Sequence, residues 1–514
     1  MATNPDATIS VSIMVDEQKN RVIWAEAGND FVDALFSFLT LPMGTIIRLL
    51  RDLRQQSTLP ATDLGCLSNL YRSVETLGSD HLWTDACEDM LLRPRNPREN
   101  FCNLLKVNVD DTKPKYFICP NADCFGKLSY YANARCRCGM TTDRELTIDC
   151  GSTAGSQDGV FLWGSTVYIV HDDLKVTTRT PTATVKLLND LGITNINCIR
   201  ERVLTVGLKD ILILLERSLL SKTPLTDVFL TNERKLRVPP EDYQFVPCNI
   251  SERKATSVEI VVVKILVKKS TGKVLYAEAK EDFVDLLFSF LTIPLGSVIT
   301  CLSRDSSLGC VDNLYKSVES LDDKWFVEHS PLGDSSKMSP QEMKQYLLLN
   351  PGLTPKFGCS SQPFGLKEKA HRVTFKKRGR DVYSLIFHNN SPYFPGYTSS
   401  LEGVVAMDLV DPKEPSGRSG SGGFVKRPAE FQVYDDLAVL SSSIISSSVS
   451  FLKGLGEGVG AAMDDIEEHV IKITKQEALN LLKASLITKS ALTTLLKHSS
   501  KKIKEEHPGE WSGR

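Results

Sequence analysis

The sequence lacks long hydrophobic segments. No apolar run reaches the ~18 residues of a membrane-spanning helix, and the N-terminal residues MATNPDATIS lack the basic and apolar stretches of a secretion signal. Net charge is also nearly absent, at -2 over 514 residues, which predicts no bulk attraction to nucleic acid. We therefore expect a protein of the cytoplasm or the nucleus, with no membrane partner.

Several catalytic motifs are missing as well. The sequence contains no phosphate-binding G-x-x-x-x-G-K-[ST], no zinc-protease H-E-x-x-H and no nucleophile elbow G-x-S-x-G. Adjacent carboxylates do occur, at Asp172-Asp173 and again at Asp435-Asp436. Neighbouring strand residues point to opposite faces, which favours a turn or cap role over a shared catalytic site. An enzymatic role is therefore disfavoured but stays open.

An internal repeat is the most informative feature that is present. Residues 22–44 (VIWAEAGNDFVDALFSFLTLPMG) recur as residues 274–296 (VLYAEAKEDFVDLLFSFLTIPLG), and residues 64–77 recur as residues 308–321. Such self-similarity predicts one domain of about 240 residues, duplicated in tandem. We call the two copies the first and the second repeat.

The composition of the connecting segments predicts the domain boundaries. We expect the first repeat at residues 1–240, a proline-containing linker at 241–257, the second repeat at 258–498 and a charged tail at 499–514. A Gly/Ser-rich insert at 412–423 should form a flexible loop. Each repeat is expected to fold by itself.

The pattern within one repeat indicates an α+β fold. Two β-rich runs around a polar break predict a hairpin, and the helix that follows is apolar on nearly all sides, which is typical of the core. Its phenylalanines Phe31, Phe36 and Phe38 are expected in that core rather than at a ligand. A second strand–helix half follows, and Thr474 with Glu477 forms a capping box at its last helix boundary.

Four cysteines of the first repeat have metal-ligand spacing. Cys119 and Cys124 form one pair and Cys136 and Cys138 the other, with Gly139 placed for a tight turn. Four thiolates suit tetrahedral Zn²⁺ and leave no open coordination position, so the sequence predicts structural zinc. Reduced core cysteines and a redox-active pair are the alternatives.

The second repeat lacks this cluster. Its corresponding region keeps only Cys359, so metal is not the only support of the fold. Cys102, Cys150 and His171 are substitute ligands if one of the four cysteines does not bind.

A basic segment stands in the second repeat instead. Its members are Lys367, Lys369, Arg372, Lys376, Lys377, Arg378 and Arg380. Their alternation with apolar residues suggests a strand that binds RNA or phosphate. The favoured interpretation is a solvated edge strand whose lysines block unwanted pairing, because no RNA-recognition pattern accompanies the charge.

The segments AEAGNDFVDALFSFLTLPMG, LGCLSNLYRSVE, CRCG and SLLSKTPLTDVFL resemble a plant family catalogued as domain of unknown function 674. The similarity covers nearly the whole chain, from Ser10 to Lys497. It implies a plant source and tandem copies with cysteines mainly in the first. It supplies no activity, substrate or catalytic residue.

These features favour a non-enzymatic interaction or scaffold protein that binds unidentified protein partners and carries structural zinc. The first alternative is a metal- or thiol-dependent enzyme or redox protein that uses Cys136 and Cys138. The second is an RNA- or phosphate-binding protein that uses residues 367–380.

Overall fold

The computed structural model describes most of the chain. The described residues are 7–55, 63–110, 112–121, 124, 127–148, 159–193, 195–230, 245–248, 261–327, 339–366, 368, 372–377, 382–386, 404–414, 422–441 and 464–506. They form helices packed on sheets, so the predicted α+β class is confirmed. None of the described helices is both long enough and apolar enough to cross a bilayer.

The strands are numbered in chain order. In the first half they are β1 (Ile9–Asp16), β2 (Arg21–Ala27), β3 (Phe117–Ile118), β4 (Lys127–Ser129), β5 (Ala134–Arg135), β6 (Thr141–Thr142), β7 (Arg144–Glu145), β8 (Thr147–Ile148), β9 (Tyr168–His171), β10 (Val176–Thr178) and β11 (Ile199–Val206). In the second half they are β12 (Val261–Lys268), β13 (Lys273–Lys280), β14 (Arg372–Lys377), β15 (Val382–Ile386), β16 (Val404–Leu409), β17 (Glu430–Tyr434), β18 (Val439–Ser441) and β19 (Ile466–Ile473).

The helices follow the same convention. The first half contains α1 (Asn29–Ser37), α2 (Met43–Gln55), α3 (Leu67–Leu77), α4 (Asp85–Leu92), α5 (Glu99–Cys102), α6 (Pro181–Asp190), α7 (Leu208–Leu220) and α8 (Pro224–Phe229). The second contains α9 (Glu281–Thr292), α10 (Leu295–Cys301), α11 (Val311–Ser320), α12 (Pro340–Glu342), α13 (Lys475–Ile487) and α14 (Ala491–Glu506). Short 3-10 helices lie at Phe38–Thr40, Ser79–His81, Ile196–Cys198 and Asp323–Trp325, and a π-helix at Met343–Leu349.

Two five-stranded antiparallel sheets share one plan. Their strand orders are β10-β9-β2-β1-β11 and β18-β17-β13-β12-β19. The predicted front hairpin is present in each, as β1–β2 and β12–β13, and its register shifts at corresponding places, Met14/Val15 and Leu266/Val267.

The strand pattern and the helix pattern explain which faces are buried. Alternate residues of β1 face the core, because successive side chains of a strand point to opposite faces. Helix α1 is apolar around most of its circumference and is accordingly enclosed. Phe31, Phe36 and Phe38 are fully buried, as expected.

The acidic pairs have a capping role, as predicted. Asp172 accepts hydrogen bonds from the Thr226 backbone amide (2.9 Å) and hydroxyl (2.8 Å) at the start of α8. Asp435 does the same for Thr493 at the start of α14, at 2.7 Å for both bonds. Each pair therefore ties a sheet to a helix N-terminus.

One helix of each half packs against an edge strand of the sheet in the other half. Helix α3 packs against β18, whereas α11 packs against β10. One continuous hydrophobic core consequently contains residues from both halves.

A third, seven-stranded sheet is also built from both halves. Its order is β7-β3-β4-β16-β14-β15-β8, with parallel pairing at β4–β16 and at β8–β15. The region of the cysteine cluster therefore shares a sheet with the part of the second repeat that lacks cysteines.

The predicted domain boundaries stay predictions. Of the linker predicted at 241–257, residues 241–244 and 249–257 lie outside the described part of the chain. Residues 415–421 of the predicted insert and residues 507–514 of the predicted tail also lie outside it. At the start of the insert, buried Lys413 donates to the Gly358 carbonyl oxygen at 3.1 Å, so this end is anchored.

Candidate metal centre

The four predicted cysteine ligands lie together. Cys119 directly follows β3, and Cys136 directly follows β5. Cys124 stands in the turn between β3 and β4, and Cys138 in the turn between β5 and β6. The four Sγ atoms all lie within 4.8 Å of one another. Two short hairpins thus bring together sulfurs from both cysteine pairs.

A tight turn positions the second pair. Gly139 has φ +88°, a left-handed conformation that glycine adopts without strain. Its amide donates to the Cys136 carbonyl oxygen at 2.9 Å, and the Cys136 amide donates to the Met140 carbonyl oxygen at the same distance. The predicted need for glycine at this place is thereby explained by backbone conformation.

Backbone amides also point at two of the sulfurs. The Met140 amide donates to Cys138, and this hydrogen bond is the main cause that lowers the pKa of the Cys138 thiol to about 7. The Asn121 amide bonds Cys119 in the same way, but burial raises the pKa of Cys119 to about 11. One sulfur is therefore readily ionised beside others that are not, and a bound cation would favour thiolates at all four.

The spacing of the sulfurs fits a tetrahedral metal ion. Zinc–sulfur bonds of about 2.3 Å in a tetrahedron give sulfur–sulfur distances of about 3.8 Å. The Cys119 and Cys138 sulfurs are already 3.5 Å apart, and the largest separation allowed in the cluster exceeds the ideal value by about 1 Å. Soft sulfur ligands without carboxylates match zinc better than hard cations.

Two of the three substitute ligands, Cys102 and His171, lie away from this cluster. Cys102 is buried elsewhere, with its Sγ 3.4 Å from the Thr40 hydroxyl. His171 lies on β9, opposite Trp24 of β2. Cys150 lies outside the described residues.

The basic segment falls largely outside the described part. The undescribed members are Lys367, Lys369, Arg378 and Arg380. The described members are Arg372, Lys376 and Lys377, which lie on strand β14. Strand β14 pairs with β15 on one side and with β16 on the other. The edge-strand interpretation is therefore wrong, because β14 is an interior strand that pairs with the next two strands of the chain.

Two buried carboxylates were missed by the sequence reasoning. Asp33 accepts hydrogen bonds from the backbone amides of Val160, Phe161 and Leu162, at 2.5, 3.2 and 3.1 Å. Burial raises the pKa of Asp33 to about 7. A signal was present, since an aspartate inside a fully apolar helix needs buried partners.

Its counterpart in the second repeat is Asp285. This carboxylate accepts from the amides of Phe424 (2.7 Å) and Val425 (3.1 Å), and Arg427 lies 3.5 Å away. Burial raises its pKa to about 6. The identical motif FVD in both repeats thus orders a backbone loop in each half.

Comparison with known proteins gives a family and no activity. A family model described as "Protein of unknown function (DUF674)" matches residues 5–476. No curated protein and no solved structure matches the chain. The match spans most of the sequence and confirms the resemblance, while the plant source stays a prediction. The chain belongs to the DUF674 family.

Proposed function

We propose that the cysteine cluster, formed by Cys119, Cys124, Cys136 and Cys138, holds a structural zinc ion. The convergence of four sulfurs from two hairpins carries this proposal. Four protein ligands fill a tetrahedral shell and leave no position for a substrate. The ion would fix a region whose strands are only two or three residues long and which has little core of its own.

Metal content tests the zinc site. Protein purified without added metal should contain one zinc per chain, measured by elemental analysis and native mass spectrometry. Cys136→Ser should lose that zinc. Cys198→Ser is the matched control, because Cys198 is half-buried and lies outside the cluster. Full zinc content in Cys136→Ser would contradict the site.

The second part of the proposal is that the chain is a non-enzymatic interaction protein of the cytoplasm or nucleus. In the described part of the chain, β11 and β19 pair on one side only, each at the edge of a five-stranded sheet. Both edges expose a valine at corresponding places, Val203 at 68% and Val470 at 63%. Such edges can accept a strand from a partner protein, although their charged neighbours limit unspecific pairing.

Edge variants test the interaction role. Partners captured from cell extract and quantified by mass spectrometry should decrease at least several-fold with Val203→Lys and Val470→Lys. Val185→Lys is the control, since Val185 is 58% exposed but lies on helix α6 rather than on an edge strand. Equal capture by all three variants, or no specific capture by the wild type, would contradict the role.

A redox role is the second candidate, because Cys138 is exposed and its sulfur lies 3.5 Å from that of Cys119. An oxidant such as a peroxide could accept two electrons and two protons from these thiols as a disulfide forms. Metal-free protein with readily oxidised cysteines would favour this candidate. RNA or phosphate binding through residues 367–380 stays a prediction, and its affinity should decrease steeply with salt.

A further inference from the structure

We propose that the two halves are joined as a symmetric dimer would be, and that the surface between them is a self-complementary docking surface. The two halves should then bind each other specifically even when the connecting segment is cut. The partner that this surface fits is one half of a second copy of this chain, which would take the place of the corresponding half of the same chain. Four sets of paired contacts support the inference.

The first set links an asparagine of one half to an aspartate of the other. The Asn69 side-chain amide on α3 donates to the carbonyl oxygen and the carboxylate of Asp436, both at 3.1 Å. The Asn313 amide on α11 donates to the same two groups of Asp173, again at 3.1 Å. The bond is made twice, once in each direction.

The second set lies one helical turn further along. The Ser73 hydroxyl oxygen on α3 accepts from the Val439 amide at 2.8 Å. In the opposite direction, Ser317 on α11 accepts from the Val176 amide, also at 2.8 Å. Each helix therefore completes the hydrogen bonding of the sheet in the other half.

The third set is a close approach of two backbones. The Cys66 amide donates to the Ser485 carbonyl oxygen at 2.7 Å, and the Cys310 amide donates to the Ser218 carbonyl oxygen at 2.8 Å. A Cβ atom on Gly65, just before Cys66, would lie 2.4 Å from that Ser485 oxygen. Glycine is thus needed there for space as well as for its φ of +49°.

The corresponding glycine of the second half also has no space for a side chain. A Cβ atom on Gly309 would lie 2.4 Å from the Ser218 carbonyl oxygen. Both glycines occur in the repeated LGC motif, so the repeat itself carries the requirement for close docking.

The fourth set lies where the two halves meet in the middle. Pro42 and Pro294 form an isolated antiparallel bridge. The Met43 amide donates to the Ile293 carbonyl oxygen at 3.0 Å, and the Leu295 amide donates to the Leu41 carbonyl oxygen at 2.9 Å. An antiparallel bridge between corresponding residues is what a two-fold axis produces.

The pairing has a consequence for recognition. Each half supplies both members of every pair, the donor and the acceptor, which is the property of an isologous interface. A repeat can therefore recognise a copy of itself. Additional one-directional bonds favour first-with-second pairing: Arg98 donates to the carbonyl oxygens of Tyr346 (2.7 Å) and Pro351 (2.9 Å).

The covalent connection runs between Leu230 and Val261. A connection of this kind raises the effective concentration of one half around the other to about the millimolar range. It favours closure within one chain without supplying the contacts themselves. The contacts should then persist after the connection is cut, and the earlier expectation of two independent domains should fail.

Cutting the folded chain tests the inference. A specific protease site replaces residues 236–242 in the full-length protein, which is cleaved after folding and studied by native mass spectrometry. Both fragments should remain in one 1:1 complex at micromolar concentration. Cleaved samples of normal and heavy-isotope protein should also form mixed complexes after incubation. Fragments that separate in native buffer as folded monomers would overturn the proposal.

Glycine variants show whether the docking surface holds the complex. The double variant Gly65→Ala/Gly309→Ala should dissociate after cleavage at concentrations where the wild type stays paired. Gly78→Ala is the matched control, because Gly78 has a similar φ of +62° but nothing within 4 Å of its added Cβ. Equal association of the double variant and the control would contradict the assigned surface.

A milder variant covers the case in which the glycine variant does not fold. Asn69→Ala/Asn313→Ala removes only the first set of bonds and should weaken association of the cleaved halves about tenfold or more. Unchanged affinity in this variant would likewise contradict the assigned surface. Zinc content should stay constant throughout, which separates this test from that of the metal site.

Discussion

In the first half, four cysteine sulfurs from two short hairpins lie close together, whereas the second half contains the paired strands β14, β15 and β16 and keeps a single cysteine, Cys359, in the corresponding part of the sequence. Both regions enter the same seven-stranded sheet. The two corresponding regions thus differ in composition and in strand pairing, while the five-stranded sheets beside them keep the same strand plan.

A second difference concerns buried charge. On α7, Glu216 pairs with Arg54, and both side chains are almost completely buried. At the corresponding position of α13 stands Lys483, which pairs with Asp305 at 3.0 Å, and Asp305 is 63% exposed. The same place in the two halves thus carries opposite charge at equal burial, but its partner is buried in the first half and exposed in the second. Burial decides how much each pair matters for stability.

The largest expected effect follows from this comparison. Glu216→Ala leaves the Arg54 guanidinium buried without that carboxylate. The free energy of unfolding should therefore decrease by about 3–5 kcal/mol, measured by chemical denaturation.

Asp305→Ala is the matched variant in the second half. The removed carboxylate is mostly in water, but the Lys483 ammonium group that it pairs with is buried. The loss should therefore be smaller than for Glu216→Ala but not negligible, about 1–3 kcal/mol. Similar losses for the two variants would show that burial does not distinguish the pairs.

The two buried aspartates give the next comparison. Burial raises the pKa of both, but Asp285 has Arg427 beside it and reaches about 6, whereas Asp33 reaches about 7. In both cases the folded state binds a proton more tightly than the unfolded state, whose value is 3.8. Stability should consequently be highest in acid and decrease as the pH rises through each folded pKa.

The pH dependence can be measured by denaturation between about pH 4 and pH 8. Each group contributes a slope of about 1.4 kcal/mol per pH unit within its window. Asp33→Asn should remove the pH dependence of stability that extends to about pH 7 and leave the contribution of Asp285. Arg427→Gln should extend the pH range over which Asp285 affects stability to higher pH. A slope that is unchanged in Asp33→Asn would contradict the assignment.

Local signals made part of this structure predictable. The front hairpin, the buried helix after it and the capping of helices by acidic turns follow from alternation, apolar pattern and residue type over a few positions. The convergence of Cys119, Cys124, Cys136 and Cys138 was predictable because all four lie within one short segment, on adjacent hairpins. The recurrence of similar segments in the second half of the sequence added a second observation of most of these signals.

Long-range pairing was not predictable in the same way. An amphipathic helix such as α3 has the same apolar face whether it covers its own sheet or the sheet of the other half, so the exchange of helices leaves no local pattern. The parallel pairs β4–β16 and β8–β15 join residues that are far apart in sequence. The pairing of β14 with β15 and β16 is closer in sequence, but the basic residues of β14 favour a solvated edge, so its interior position was not predicted.

The shared sheet makes a third prediction, of intermediate size. Leu128 of β4 packs with Met407 and Leu409 of β16 in one small core, so loss of the proposed zinc should loosen both halves there. In Cys136→Ser, amide hydrogen exchange of β4 and β16 should become about tenfold faster, equivalent to ~1.4 kcal/mol of local opening. Exchange of β17, in the second five-stranded sheet, is the internal control. Faster exchange in β4 alone would contradict the coupling.

The smallest effect concerns an ion pair at the same junction. Lys127 of β4 and Asp408 of β16 are 2.9 Å apart, with side chains about one third exposed. A double-mutant cycle with Lys127→Met and Asp408→Asn should give a coupling energy of about 0–1 kcal/mol that decreases with salt. The pair Arg51–Glu75 is the control, because it has similar exposure and a separation of 2.8 Å within the first half. Equal coupling in both cycles would mean that backbone pairing and the Leu128 core join the halves here, whereas coupling above about 2 kcal/mol at Lys127–Asp408 would make this ion pair a principal connection.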